Sequence, residues 1–120
     1  MGPGDEVMVP DLTFVATANA ALYTGATVVL IDCTSATDWT LSMADIERKW
    51  TPRTKAIIPV HYAGQPADMV ALRKFAKERG IFIVEDNAHG PLADGWIDDA
   101  HQTQALGTIG DIGCFSFFSN

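Results

Sequence analysis

Ile81-Phe82-Ile83-Val84-Glu85-Asp86-Asn87-Ala88-His89 decides how this chain folds. Four apolar residues run without interruption into two carboxylates and then an imidazole. A short, unbroken apolar run reads as a strand buried on both faces, the kind found inside a parallel sheet. Asp86 falls where that strand ends. In open α/β sheets the carboxyl ends of the strands line the ligand crevice. A carboxylate there can hold a cationic ring nitrogen, and a nearby imidazole can share the same ligand. The plainer alternative, weighed beside this one, is that Asp86 caps the next segment and His89 is an ordinary loop residue.

Working outward, the other segments repeat the pattern. Glu6–Val9 is a first strand, closed by Pro10. Asp11 or Thr13 then caps a helix over about 15–24, Ala-rich and expected to be well buried, with Gly25 as its C′ glycine. Thr27–Ile31 is a β-branched strand. Ser42 and Asp45 resemble a capping box for a short helix to Trp50. A third strand spans 55–60 in spite of Pro59, which sits next to last. Pro66 takes the N1 position of a helix to Arg79, with Met69, Leu72, Phe75 and Ala76 as its apolar stripe. The stretch 90–111 reads as a long polar loop, and a fifth strand spans 112–117. Strands alternating with helices call for a parallel α/β sheet with right-handed crossovers.

Composition narrows the function. The 120 residues are 48% hydrophobic, enough to bury a core. A net charge of −7 argues against nucleic acid and anionic membrane surfaces. No apolar run reaches the roughly 18 residues of a membrane span, and no signal peptide is visible, so a cytoplasmic location is expected. Cys33 and Cys114 are isolated and read as thiols rather than a disulfide. His61, His89 and His101 have no metal-ligand spacing, so no metal site is expected. The glycines at 107, 110 and 113 precede a strand, whereas a dinucleotide fingerprint must follow one.

Set side by side, the strand ends deliver Asp11 to Phe14, then His61 and Tyr62, then Asp86 and His89, then Ser116, Ser119 and Asn120. An aromatic, an acid, an imidazole and a hydroxyl on one edge suit a flat, anionic, nitrogen-containing cofactor. Core packing is the alternative for Phe14, and a solvated strand end for Ser116.

Here the whole chain resembles the DegT/DnrJ/StrS sugar-nucleotide aminotransferases, which use pyridoxal phosphate (PLP) on an aspartate-aminotransferase-like, fold type I large domain. The resemblance is carried by GPGDEVMVPDLTFVATANAALYTGAT at 2–27, TPRTKAIIPVHYAGQPADM at 51–69, VEDNAH at 84–89 and GTIGDIGCFSFFSN at 107–120. It implies a strand order of 2-1-3-4-5 in chain numbering. It implies that Phe14 stacks on the pyridine ring, Asp86 pairs with the pyridinium nitrogen, His89 lies beside the ring and Ser116 binds the phosphate. It gives His61 and Tyr62 a place in a loop near the site, with no chemistry assigned. The Schiff-base lysine is expected just after Asn120, so this chain would carry no catalytic lysine and be inactive by itself. Residues 1–120 would be part of the large domain, with an N-terminal segment and a C-terminal small domain absent. The intact enzyme would be a homodimer moving an amino group from an amino acid donor, glutamate in this reading, to a nucleotide-linked keto sugar. Two departures stand out: Asn87 where the family usually has Ala, and a 90–107 loop several residues longer and acidic. The rival readings are a PLP-dependent sugar dehydratase with histidine in place of the lysine, a flavodoxin-like binding module without catalysis, and a non-functional gene fragment.

Overall fold

Alternation along Phe82–Asn87 separates the two faces of the sheet. Ile83, Glu85 and Asn87 are buried, while Phe82 is exposed and Val84 and Asp86 are half-buried. The structure, a computed structural model, describes residues 1–118. Strands β1 (Glu6–Pro10), β2 (Thr27–Ile31), β3 (Thr54–Ile57), β4 (Phe82–Asn87) and β7 (Ile112–Phe115) form a five-stranded sheet of order β2-β1-β3-β4-β7. Every neighbouring pair is parallel, and β4 is interior. This is the expected order once the two strands β5 (Asp94–Trp96) and β6 (Thr103–Ala105) are counted.

One face is covered by helices α2 (Met43–Lys49) and α3 (Met69–Arg79). Its core joins Met8, Ile31, Ile57 and Ile83 of the sheet to Ile46, Leu72 and Phe75 of the helices. Helix α1 (Val15–Leu22) lies on the other face, over a smaller cluster that includes Val7, Val9, Ala21 and Ala56. That face is only partly covered. Leu30, Phe82 and Ile112 are exposed, and strand register puts them on the α1 side beside Val9, Ala56 and Val84.

Several local expectations change. The expected strand over 55–60 leaves the ladder at Ile57, because Pro59 has no N–H to give. It still runs beside β4: Asp86 N–H donates to the Pro59 carbonyl (2.8 Å) and His61 N–H to the Asp86 carbonyl (3.1 Å). Helix α3 begins at Met69 rather than Pro66, because the Asp68 carboxylate caps it by accepting from Ala71 N–H at 3.0 Å. Helix α2 is capped by Ser42, as its sequence indicates. Helix α1 is capped by neither Asp11 nor Thr13; Phe14 holds the N-cap position. Nor is α1 well buried: it contacts the sheet along one narrow face, through Thr17 and Ala21, and Val15 and Leu22 stay exposed. The 90–111 loop contains the antiparallel hairpin β5–β6. The fifth sheet strand stops at Phe115, and Ser119 and Asn120 lie outside the described residues.

Candidate active site

All five sheet strands run the same way, so the segments after β1, β3, β4 and β7 leave from one edge. Phe14 sits four residues past β1, at the start of α1, and is 76% exposed. Asp86 is the next-to-last residue of β4, and its side chain lies on the α1 face. Ser116 follows β7 directly, two residues beyond Cys114, the register partner of Asp86. His89 lies two residues past β4.

The Asp86 carboxylate is held from two directions. Thr17 Oγ donates to Oδ2 at 2.8 Å, and the Ala88 N–H donates to Oδ1 at 3.2 Å. An ionised carboxylate only accepts, so the Thr17 hydroxyl takes its own incoming bond from Thr13 Oγ at 2.9 Å. The relay Thr13 to Thr17 to Asp86 thus spans the start of α1, with Phe14 between the two threonines. The remaining lone pairs of Asp86 are open to a further donor.

His89 is oriented through Nδ1, which accepts from the Ala63 N–H at 3.2 Å. Its ring proton is therefore on Nε2, where it is free to donate. The 3₁₀ turn Tyr62–Gly64 supplies this bond, with Ala63 at φ 52°, an uncommon conformation for a residue with a Cβ. Tyr62 contacts the edge of the His89 ring at 5.4 Å between centroids, and Trp39 contacts Tyr62 at 5.3 Å. Ser116 Oγ accepts from the Phe118 N–H at 3.3 Å, which leaves its own O–H to donate.

On the opposite face, Glu85 and His61 are fully buried. His61 Nε2 donates to Glu85 Oε2 at 2.9 Å, while His61 Nδ1 accepts from Ala67 N–H at 3.2 Å. Asn87 also points to this face, away from Asp86, and its amide donates to the Leu106 carbonyl at 2.8 Å. It therefore ties down the long 90–107 loop. A concavity of about 1260 Å³ lies between the 34–44 segment, the start of α3 and the β5–β6 hairpin. None of Phe14, Asp86, His89 or Ser116 lines it.

The DegT/DnrJ/EryC1/StrS aminotransferase family profile matches residues 1–120. The chain belongs to this family. It is 48% identical over 120 residues to a UDP-N-acetyl-3-dehydro-alpha-D-glucosamine 3-aminotransferase of Acidithiobacillus ferrooxidans, covering 98% of this chain and 30% of that relative. An aminotransferase from Psychrobacter cryohalolentis superposes with a TM-score of 0.86 at 34% identity, over 97% of this chain and 28% of that one. The Bacillus subtilis protein NtdA, solved with bound cofactor PMP, gives a TM-score of 0.70 at 34% identity, over 75% and 20% of the two chains. The chain thus spans about 30% of the curated relative's length, and its sheet is that of the family's PLP-dependent aminotransferases.

Sequence reasoning missed Thr17, Glu85 and the side chain of His61. Thr17 left a trace: it is a polar residue four positions past Thr13, early in a helix that is half Ala. Glu85 left one too, as a carboxylate inside a buried strand, a place charges occupy only when paired.

Proposed function

We propose that this chain is the central part of the large, cofactor-binding domain of a PLP-dependent sugar aminotransferase, with a preceding segment and a small C-terminal domain encoded beside it. The observation that carries the reading is Asp86. Its carboxylate is pre-set by Thr17 and Ala88 at the end of an interior parallel strand, with lone pairs left over for a cationic N–H. The set around it has the right polarity for PLP: an acceptor for the ring nitrogen, Nε2–H of His89 and Oγ–H of Ser116 for anionic oxygens, and the exposed Phe14 ring for a flat aromatic face. The Bacillus subtilis neighbour solved with PMP, the amine form of the same cofactor, supports this choice.

When bound, PLP supplies an electron sink for the pair left as a substrate carbon loses its proton. Asp86 would hold the proton on the ring nitrogen, Phe14 would pack against the ring, Ser116 would donate to the phosphate, and His89 would donate beside the ring. The amino group would pass from an amino acid donor, glutamate in our reading, to the keto carbon of a nucleotide-linked sugar; one water would supply the oxygen of the donor's 2-oxo acid, and the sugar's keto oxygen would leave as another. The name of the Acidithiobacillus ferrooxidans relative supports that substrate class. We read the working enzyme as a cytoplasmic homodimer and place its Schiff-base lysine directly after Asn120.

The test is to express the full reading frame, add PLP and follow its absorbance. Lysine at that position gives a band that borohydride converts to a fixed adduct, and amino-sugar product from a nucleotide-linked keto sugar and glutamate. Histidine there, with no trapped adduct, would assign the sugar dehydratase instead.

A further inference from the structure

Glu85 precedes Asp86 and points the opposite way, into the covered face. Its carboxylate, with no exposure to water, collects four donors. Oε2 accepts from Gly107 N–H (2.8 Å) and His61 Nε2–H (2.9 Å); Oε1 accepts from Ile109 N–H (2.6 Å) and Gly110 N–H (2.5 Å). Burial raises the Glu85 pKa, but His61 and the N–H groups of Gly110, Gly107 and Ile109 outweigh burial and hold it below the ordinary carboxylate value. An ion this deep persists only when its acceptor capacity is filled, and here it is.

Those donors come from two separate segments that meet on β4: the loop after β3 and the turn before β7. The turn is bonded to β4 again at its far end, where Asp111 N–H donates to the Ile83 carbonyl (2.9 Å) and Ile83 N–H to the Asp111 carboxylate (2.7 Å). β7 follows at once, setting Cys114 opposite Asp86, with Ser116 two residues on. Ladder pairing alone does not fix that register. A slip of two residues keeps every side chain on its own face and shifts the strand by about 6.6 Å. The grip on the turn excludes the slip.

We infer that Glu85 is a positioning residue: held by His61 and by the Gly107–Gly110 turn, its carboxylate sets the register of β7 on β4, and so the spacing of Asp86 and Ser116. The inference rests on the reading of those two residues as the ring and phosphate contacts of one cofactor.

Titration of the full-length apo-enzyme with PLP and with pyridoxal, which lacks the phosphate, tests it. The ratio of the two Kd values measures what the phosphate contact adds to the ring contact. Glu85→Gln keeps the volume and removes the charge. It is expected to cut the preference for PLP over pyridoxal roughly tenfold, a coupling of the size neighbouring residues show; any loss through the lysine placed after Asn120 falls on both ligands and cancels in the ratio. Added to Ser116→Ala, it should change the ratio less than about twofold, because both act on the same contact. A lower Tm with an unchanged ratio, or equal losses for both ligands, would mean that Glu85 only stabilises the fold, and overturns the inference. His61→Asn leaves the three backbone donors in place and serves if Glu85→Gln does not fold. A ratio reduced about threefold supports the inference, and an unmoved ratio refutes it. A wild-type enzyme with no preference for PLP over pyridoxal would refute the cofactor-site reading itself, and the inference with it.

Discussion

Replacing Asp86 by asparagine should separate cofactor binding from folding. In Asp86→Asn the amide oxygen stays on the Ala88 N–H, where Oδ1 now accepts at 3.2 Å. The amide nitrogen takes the place of Oδ2, 2.8 Å from Thr17 Oγ. Thr17 then accepts from that nitrogen and turns its own proton toward Thr13, since either hydroxyl of that pair can donate. Every hydrogen bond has a successor, so the stability of the apo-enzyme should change by no more than about 0.5 kcal/mol. The lost quantity is the charge opposite the ring nitrogen. A hydrogen bond to a charged group is worth about 1.5–3 kcal/mol. Asp86 is half-buried, and screening by water favours the lower half of that range, about ten- to fortyfold in affinity. The assay is a PLP titration of wild-type and variant full-length enzyme, beside thermal melts of both apo forms. Unchanged affinity together with full turnover would refute the assignment of Asp86. A drop in apo Tm of more than about 5 °C would show that the hydrogen bonds are not conserved as argued.

Three further outcomes follow from packing and charge. Burial raises the pKa of Asp45, but the N–H of Asp32, Lys49 and Arg48 outweigh burial and lower it from 3.8 to about 2. The stability it contributes is therefore present above pH 3.8 and lost as pH falls through about 2. Denaturant titrations of wild type and Asp45→Asn should converge by about 1 kcal/mol across that window, a linkage value discounted because Arg48 is largely exposed; parallel curves would contradict it. In Gly110→Ala the new Cβ would lie 2.8 Å from Ile83 Cγ2 and 2.9 Å from its carbonyl oxygen, so the turn must lift off β4 and Glu85, costing about 2–4 kcal/mol in chemical denaturation. Asn87 is fully buried, with its amide donating to Leu106 and its Oδ1 without a partner among the described residues. Asn87→Ala removes a bonded donor together with an orphan acceptor and should cost only about 1 kcal/mol, whereas Asn87→Asp sets an anion against the Leu106 carbonyl and should cost 3 kcal/mol or more by about the same measure; the reverse order would refute this account.

The sheet was readable because its information is local. Val28 to Ile31 and Ile81 to Val84 are short apolar runs of strand length, and Gly80 stops α3 with the left-handed φ of 65° that a C′ glycine supplies; the expected burial on both faces is not met, because Leu30 and Phe82 stay exposed on the α1 side. The hairpin was not readable, because what holds it is remote or backbone-made. Asp94-Gly95-Trp96 and Thr103-Gln104-Ala105 show no alternation. The hairpin is held by its backbone ladder, by Leu106 N–H to the Ala93 carbonyl at 2.8 Å, and by Gly95 lying against Leu106 and Ile109. The expected burial of α1 failed for a related reason: an apolar composition reports what a surface prefers to meet and not what covers it. Val15 and Leu22 remain exposed beside a sheet face that α1 alone covers.

What the sequence showed of the candidate site was which residues stand at one edge of the sheet and no more, and Glu85 and Asp86 show why. Both are carboxylates, one residue apart, at the end of one strand, and by residue type either is a candidate for the same role. Strand parity sends them to opposite faces. What they meet there comes from segments distant in sequence: Thr17 of α1 on one side, His61 and the Gly107–Gly110 turn on the other. Glu85 is saturated by four donors and has nothing left to offer a ligand. Asp86 receives two, enough to fix its direction, and keeps acceptor capacity facing outward. The number of donors converging on each group divides their roles, and that number follows from the tertiary fold. The resemblance to a family selected Asp86 in advance of any structure. The donors in the folded chain are the physical ground for proposing Asp86 as the ring contact and Glu85 as a positioning residue.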